Sequence, residues 1–168
     1  LSITTGTYNV LLGGRAGDAL TTGTRNIAIG FDALSAEDEH LGNIAIGYQA
    51  LKVQDAGTNA YNVAVGYDAG LSVSTGELNH LIGAFAGDAI TTGSNNVALG
   101  YQALSTEDTG SDCVAIGHRA LKNQNTNSAF NTAVGKDAGL SLTSATQNTF
   151  VGSVAGDAVT TGGNNTAI

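Results

Sequence analysis

The sequence predicts an all-β chain: a parallel β-solenoid, or β-roll, of about ten 17-residue rungs with a four-rung superrepeat, intertwined or packed in a homo-oligomer. Three observations predict it. Asn26-Ile27-Ala28-Ile29-Gly30, with Ala33 three residues later, returns along the whole chain; units start at Asn9, Asn26, Asn43, Asn62, Asn79, Asn96, Cys113, Asn131, Asn148 and Asn165. The spacing is 17 except for one interval of 19 and one of 18. No such unit can bury its own apolar face, so copies must stack. Finally, Ala16-Gly17-Asp18-Ala19-Leu20-Thr21-Thr22-Gly23 returns at Ala86 and again at Ala155, a superperiod of 70 and then 69 residues. Four rungs were duplicated as a block.

Each unit opens with about four alternating, β-branched-rich residues, too short for a helix and right for a strand. The slot of Ile29 is aliphatic in every unit, from Leu12 to Ile168, and reads as the core ladder. The neighbouring slot of Ala28 points to the opposite face. It holds Ala except for Leu11, Leu81 and Phe150, which fall where the later slot is Gly17, Gly87 and Gly156, a pattern of volume compensation. Both strand faces are thus small or apolar, and a narrow coil covers only one. Leu11, Ala28, Leu81 and Phe150 are therefore expected to face a second sheet or another subunit, and are the candidates for a subunit interface.

The fixed Gly (Gly30, Gly47, Gly66 and Gly100 among them) either takes backbone angles closed to other residues or admits a close neighbour. The fixed Ala (Ala33, Ala50, Ala69, Ala103) marks a place where more than a methyl group would clash with the next rung. The Asn column (Asn9, Asn26, Asn43, Asn62, Asn79, Asn96, Asn131, Asn148) is expected to form an amide ladder along the axis, broken at Cys113. Gly/Ser/Thr/Asp/Asn-rich returns close each rung.

Composition narrows the function. Fourteen acidic residues against 6 basic ones give a net charge of −8, which opposes nucleic-acid binding and anionic membrane surfaces. No apolar run reaches the ~18–20 residues of a membrane span. Gly is abundant (24 residues) but strictly positioned, which rules against disorder, and a single Cys excludes an intrachain disulfide. Residues 1–168 form one array and, lacking an initiator Met and stopping before the next fixed Gly, read as a fragment of a longer fibre protein.

The pattern Asn-x-Ala-[IV]-Gly-x-x-Ala-[LG] with a Thr/Gly-rich return, as in Asn96–Gly100 followed by Tyr101-Gln102-Ala103-Leu104, resembles the head repeat of trimeric autotransporter adhesins, a left-handed parallel β-roll. It also resembles, more closely in unit length, the array ahead of the intramolecular chaperone domain of phage tail fibres and large bacterial surface proteins. The resemblance implies an extracellular homo-oligomeric fibre, most often a trimer, on a cell surface or virion, attaching to a receptor or glycan through other regions.

No catalytic, cofactor or metal site is expected. Cys113 and His118 lie five residues apart with no third partner, and Cys113 fills an Asn slot, so it reads as a structural thiol. His40, His80 and His118 show no metal-ligand spacing. Asp18, Asp88 and Asp157 read as turn-capping residues, and Asp32, Asp68 and Asp137 as a solvated face. Tyr48, Tyr67 and Tyr101, with Phe31, share the slot after the fixed Gly and read as packing at a rung corner, with carbohydrate stacking as the rival. A polysaccharide-degrading β-helix would need clustered carboxylates breaking the repeat on one face.

Overall fold

The computed structural model describes residues 3–126 and 129–168. Ten short strands follow one another: β1 (Val10–Leu12), β2 (Ile27–Ile29), β3 (Ile44–Ile46), β4 (Val63–Val65) and β5 (His80–Ile82). The remainder are β6 (Val97–Leu99), β7 (Val114–Ile116), β8 (Thr132–Val134), β9 (Thr149–Val151) and β10 (Thr166–Ala167). They form a single parallel sheet in sequence order, with Ala28 opposite Leu11 and Ala45, and so on along the array. The β-solenoid expected from the repeat is the fold. At about 4.8 Å per rung the stack is on the order of 45 Å long.

Rung-to-rung hydrogen bonds do not stop at the strands. Gly17 N–H reaches Ala33 C=O and Ala19 N–H reaches Ser35 C=O on one side, and Thr21 N–H reaches Asp38 C=O on the return. The longer interval of 19 residues is absorbed in the return, so Ile44–Ile46 still pairs in register with Val63–Val65. Among the described residues no helix is long and apolar enough to cross a membrane.

The two faces of the strands are the reverse of what the sequence predicts. Ala28, Ala45, Ala64, Leu81, Ala98, Ala115, Ala133 and Phe150 point into the coil and are essentially fully buried, and Leu11 packs against the same core. The Ile29 column points outward with the Ile27 column, and Leu12, Ile82, Leu99 and Val151 are exposed. Leu11, Ala28, Leu81 and Phe150 therefore cannot be subunit contacts; they are the core. The physical reason is volume. One coil has room per rung for the fixed Ala and one or two large side chains, as with Leu81 and Ile90 or Leu34 and Glu37, and a column of β-branched residues at both outer strand positions cannot fit inside as well.

The compensation noted in the sequence is internal to this core. A Cβ added to Gly17 would lie 2.8 Å from Leu11, one on Gly87 2.7 Å from Leu81, and one on Gly156 2.6 Å from the Phe150 ring. In the alternative rungs the strand contributes only Ala28 or Ala45, and Leu34 or Leu51 fills the space. Where both slots are small, at Ala64/Gly70, the neighbouring rungs supply Leu51 and Leu81. The four-rung superrepeat is thus a packing cycle, alternating which corner delivers the large side chain.

Both proposed roles of the fixed Gly apply at once. Gly30, Gly47, Gly66 and Gly100 have φ of 132–148°, and a Cβ on any of them would lie 2.1–2.5 Å from the carbonyl oxygen of the next rung's Gly. Ala33, Ala50, Ala69 and Ala103 are fully buried beside them.

Candidate functional site

Three features of the array can do work: the internal Asn column, the outer apolar face, and the charged corners.

The Asn column is a ladder, but its rungs are mostly side chain to backbone. Asn79 Oδ1 accepts the Asn96 N–H at 3.0 Å, and Asn79 Nδ2 donates to the Gly93 carbonyl at 2.8 Å. Asn9, Asn26, Asn62 and Asn96 repeat this geometry on Gly23, His40, Gly76 and Gly110. Side-chain amides join directly at the far end, where Asn148 Nδ2 reaches Asn131 Oδ1 at 3.1 Å and Asn165 Nδ2 reaches Asn148 Oδ1 at 2.9 Å. Asn9, Asn26, Asn62, Asn79, Asn96 and Asn131 thus each satisfy the backbone N–H of the next ladder residue and a carbonyl of the return, which is a stronger reason for their presence than ladder formation alone.

Sequence reasoning missed a second internal column, eleven residues after each Asn. Leu20, Val73, Ile90 and Leu142 are buried there, but so are Glu37, Gln54, Glu107 and Gln124. The polar residues occur in the rungs where Leu34, Leu51, Leu104 and Leu121 already fill the core. Elsewhere the column's own side chain covers the glycine: Leu20 lies 2.7 Å from the Cβ position of Gly17. Freed from that task, the polar chains turn to the Asn column, as in Asn43 Nδ2 to Glu37 Oε2 at 3.3 Å and Asn131 Nδ2 to Gln124 Oε1 at 2.8 Å. The signal was available: Leu at the slot of Leu34 coincides with Glu or Gln three residues on.

Cys113 is buried, with the Asn131 N–H and Gln124 Nε2 both directed at Sγ, the latter at 3.0 Å. Burial pushes its thiol up to about 11, away from a reactive thiolate. Asn43 occupies the matching slot of the first superrepeat among the same neighbour types, and there its Oδ1 accepts the Asn62 N–H at 3.0 Å. Cys113→Asn is therefore expected to stabilise the chain by about 1 kcal/mol, read as a higher urea midpoint with unchanged slope. A lower midpoint would show that the site is fitted to sulfur.

The charged residues are less solvated than their types suggest. Asp32 and Asp137 are buried, not on a solvated face. Arg15 Nε lies 3.2 Å and Lys52 Nζ 3.7 Å from Asp32, while Arg119 Nε lies 2.7 Å and Lys136 Nζ 3.2 Å from Asp137. The Arg119 hydrogen bond holds the Asp137 carboxyl down at about 2. Asp68 Oδ1 and Asp88 Oδ1 are buried with no hydrogen-bond partner. The other side of the Asp88 carboxylate takes turn hydrogen bonds from its own N–H and that of Ala89, yet burial still raises it from 3.8 to about 6.

A carboxyl raised by folding stabilises the fold when protonated. The Asp88 contribution is present below its unfolded value near 3.8 and is lost as the pH rises through about 6. Acidifying from pH 7 to pH 4.5 should therefore raise the melting temperature, with Asp88 supplying about 1–2 kcal/mol after allowance for its partial exposure. Asp88→Asn should flatten that rise, and an unaltered pH profile in this variant would assign the effect elsewhere.

The outer face carries two apolar columns. Ile27, Ile44, Val63 and Val97 run along one, and Ile29, Ile46, Val65 and Leu99 along the other, all partly or fully exposed. His80 sits in the first column, exposed. Past the fixed Gly, aromatic rings stack from rung to rung: Phe31–Tyr48 at 5.7 Å and Tyr48–Tyr67 at 4.9 Å, nearly coplanar in orientation. Ala84 interrupts the slot, but Phe85 from the next position bridges to Tyr67 and Tyr101, and His118 continues the stack at 5.4 Å. Stacking along the axis uses the ring faces on one another and leaves edges to solvent.

Among the described residues no cavity opens into the coil. His118 lies outside with the aromatic rings and Cys113 inside, so the two do not form a pair. In comparisons with known proteins, the chain matches no family model, no curated protein and no solved structure.

Proposed function

We propose that this array is a structural segment of an extracellular adhesive fibre, built as a homo-oligomer whose copies pack through the outer apolar face. One observation carries the reading: the Ile29 column leaves an aliphatic side chain at least partly uncovered on every rung, and beside it the Ile27 column is Ile or Val through the seventh rung apart from His80, with Thr132, Thr149 and Thr166 in the last three. The strip is on the order of 45 Å by 10 Å, and the bordering aromatic rings bring it towards the roughly 800 Å² per partner of a standard interface. Scattered apolar residues need no explanation, but a contiguous strip of this size marks an interaction surface. The argument that one coil covers only one strand face still holds, with the faces exchanged. The trimeric state, the fibre role and the surface location rest on the repeat's resemblance to adhesin heads and tail-fibre arrays.

A carbohydrate-binding role has less support. Sugar rings stack on aromatic faces, and here those faces are taken by Phe31, Tyr48 and Tyr67 themselves.

The test is to place charge at the centre of the strip. Ile46→Glu with Val65→Glu, both outward, should leave the β-sheet circular-dichroism signal in place while reducing the assembly to single chains in sedimentation velocity. Assembly unchanged by two buried like charges would remove this face from the interface.

A further inference from the structure

We infer that the corner joining the second and third rungs is a binding site for a divalent transition-metal ion of the zinc type. Glu37, Asp38, His40 and Asp55 each bring one donor atom into a cluster whose members all lie within 4.8 Å of one another. Glu37 and His40 are already in contact, Nδ1 to Oε1 at 2.7 Å, and the Asp55 carboxylate stands 3.9 Å from the same nitrogen. Ligands of a tetrahedral zinc ion at its usual bond lengths sit about 3.3 Å apart, so small side-chain rotations gather the four donors around one ion. An imidazole nitrogen among carboxylates favours zinc, manganese or a similar ion over calcium or magnesium.

The chain contains its own control. In the second superrepeat the matching slots are Glu107, Asp108, Gly110 and Asn125, so the imidazole and the outer carboxylate are both absent. There the buried Glu107 is fully served by protein donors: Gly110 N–H at 2.8 Å, Thr126 N–H at 3.2 Å and Gln124 Nε2 at 2.8 Å. At the first corner the backbone N–H of His40, at 3.1 Å, and Asn43 Nδ2, at 3.3 Å, are longer contacts, and the close partner is the imidazole itself. Among the differences between the two corners, His40 in place of Gly and Asp55 in place of Asn thus add a metal-binding nitrogen and a third carboxylate at one point. Bound there, an ion would tie the return of the second rung to that of the third, where the longer 19-residue interval begins.

Isothermal titration of zinc chloride, and separately manganese and calcium chloride, into the metal-stripped chain tests this. One zinc per chain is expected, with binding weakened at least about tenfold in His40→Ala and in Asp55→Asn, and unchanged in Asp108→Asn at the control corner. Asp55 is exposed, so its substitution should leave the fold intact, and circular dichroism checks this. The absence of saturable binding would overturn the inference and leave the Glu37–His40 contact as a hydrogen bond only. So would zinc binding that survives both substitutions.

Discussion

Gly47→Ala is expected to split the array. A Cβ at this position would lie 2.1 Å from the Gly66 carbonyl oxygen, and the residue already has φ of 137°. The opposing atom belongs to backbone, so no side-chain rotation relieves the clash. Either the third and fourth rungs separate or their hydrogen bonds break. Left-handed strain alone costs roughly 1–3 kcal/mol, and with the lost contacts the total should reach about 4 kcal/mol or more. Because each rung of a solenoid is held only by its neighbours, the damage should localise. Hydrogen exchange should accelerate on both sides of residue 47 while β7 to β9 stay protected. Gly57→Ala is the control: φ is 69°, nothing stands within 4 Å of its Cβ position, and about 1 kcal/mol should be lost. Equal losses in the two variants would show that rung contact is not what demands glycine.

Asn79→Ala should be nearly as damaging. Removing the carboxamide leaves the Asn96 N–H and the Gly93 carbonyl buried without partners, at about 1–3 kcal/mol each. Asn79→Leu restores volume without hydrogen bonds and Asn79→Asp restores only the acceptor while burying a charge, so neither should rescue stability. Urea unfolding of the three variants gives the comparison. Recovery in the Leu variant would mean that Asn79 acts by filling space.

The repeat made the solenoid legible because the restrictions recur at fixed spacing: a Gly that meets another Gly, an Ala beneath it, a short strand between. Which strand face turned inward was harder to read. Aliphatic side chains at the Ile29 slot look like a core, and Ala at the Ala28 slot does not, when hydrophobicity is weighed residue by residue. Parity held the answer. Asn26 and Ala28 are two residues apart in a strand and so share a face; a buried Asn column therefore takes Ala28 inside with it. The pairing of Leu11 with Gly17 and Phe150 with Gly156 pointed the same way, since side chains can compensate for each other's volume only when they share one space.

The charged corners were not legible. Nothing local marks Asp32 or Asp137 as buried: Arg15 and Lys52 reach Asp32 from other rungs, and Asp137 adds Arg119 from the preceding rung to its chain neighbour Lys136. The clustering of Glu37, Asp38, His40 and Asp55 was missed for the same reason. Asp55 is fifteen residues from His40 in sequence and reaches it only because the rungs stack. The aromatic stripe continues past Ala84 because Phe85 reaches across from the neighbouring slot, which a slot-by-slot pattern does not show.

The central claim is that the outer Ile27 and Ile29 columns are covered by other copies of the chain. Light scattering on the native protein, repeated in denaturant, tests it most directly. The account predicts a native mass at least twice that of the denatured chain, three times it if the resemblance to trimeric adhesin heads extends to subunit number. A well-folded particle with the mass of one chain at micromolar concentration would contradict it, because the strip would then be stable in water with nothing upon it.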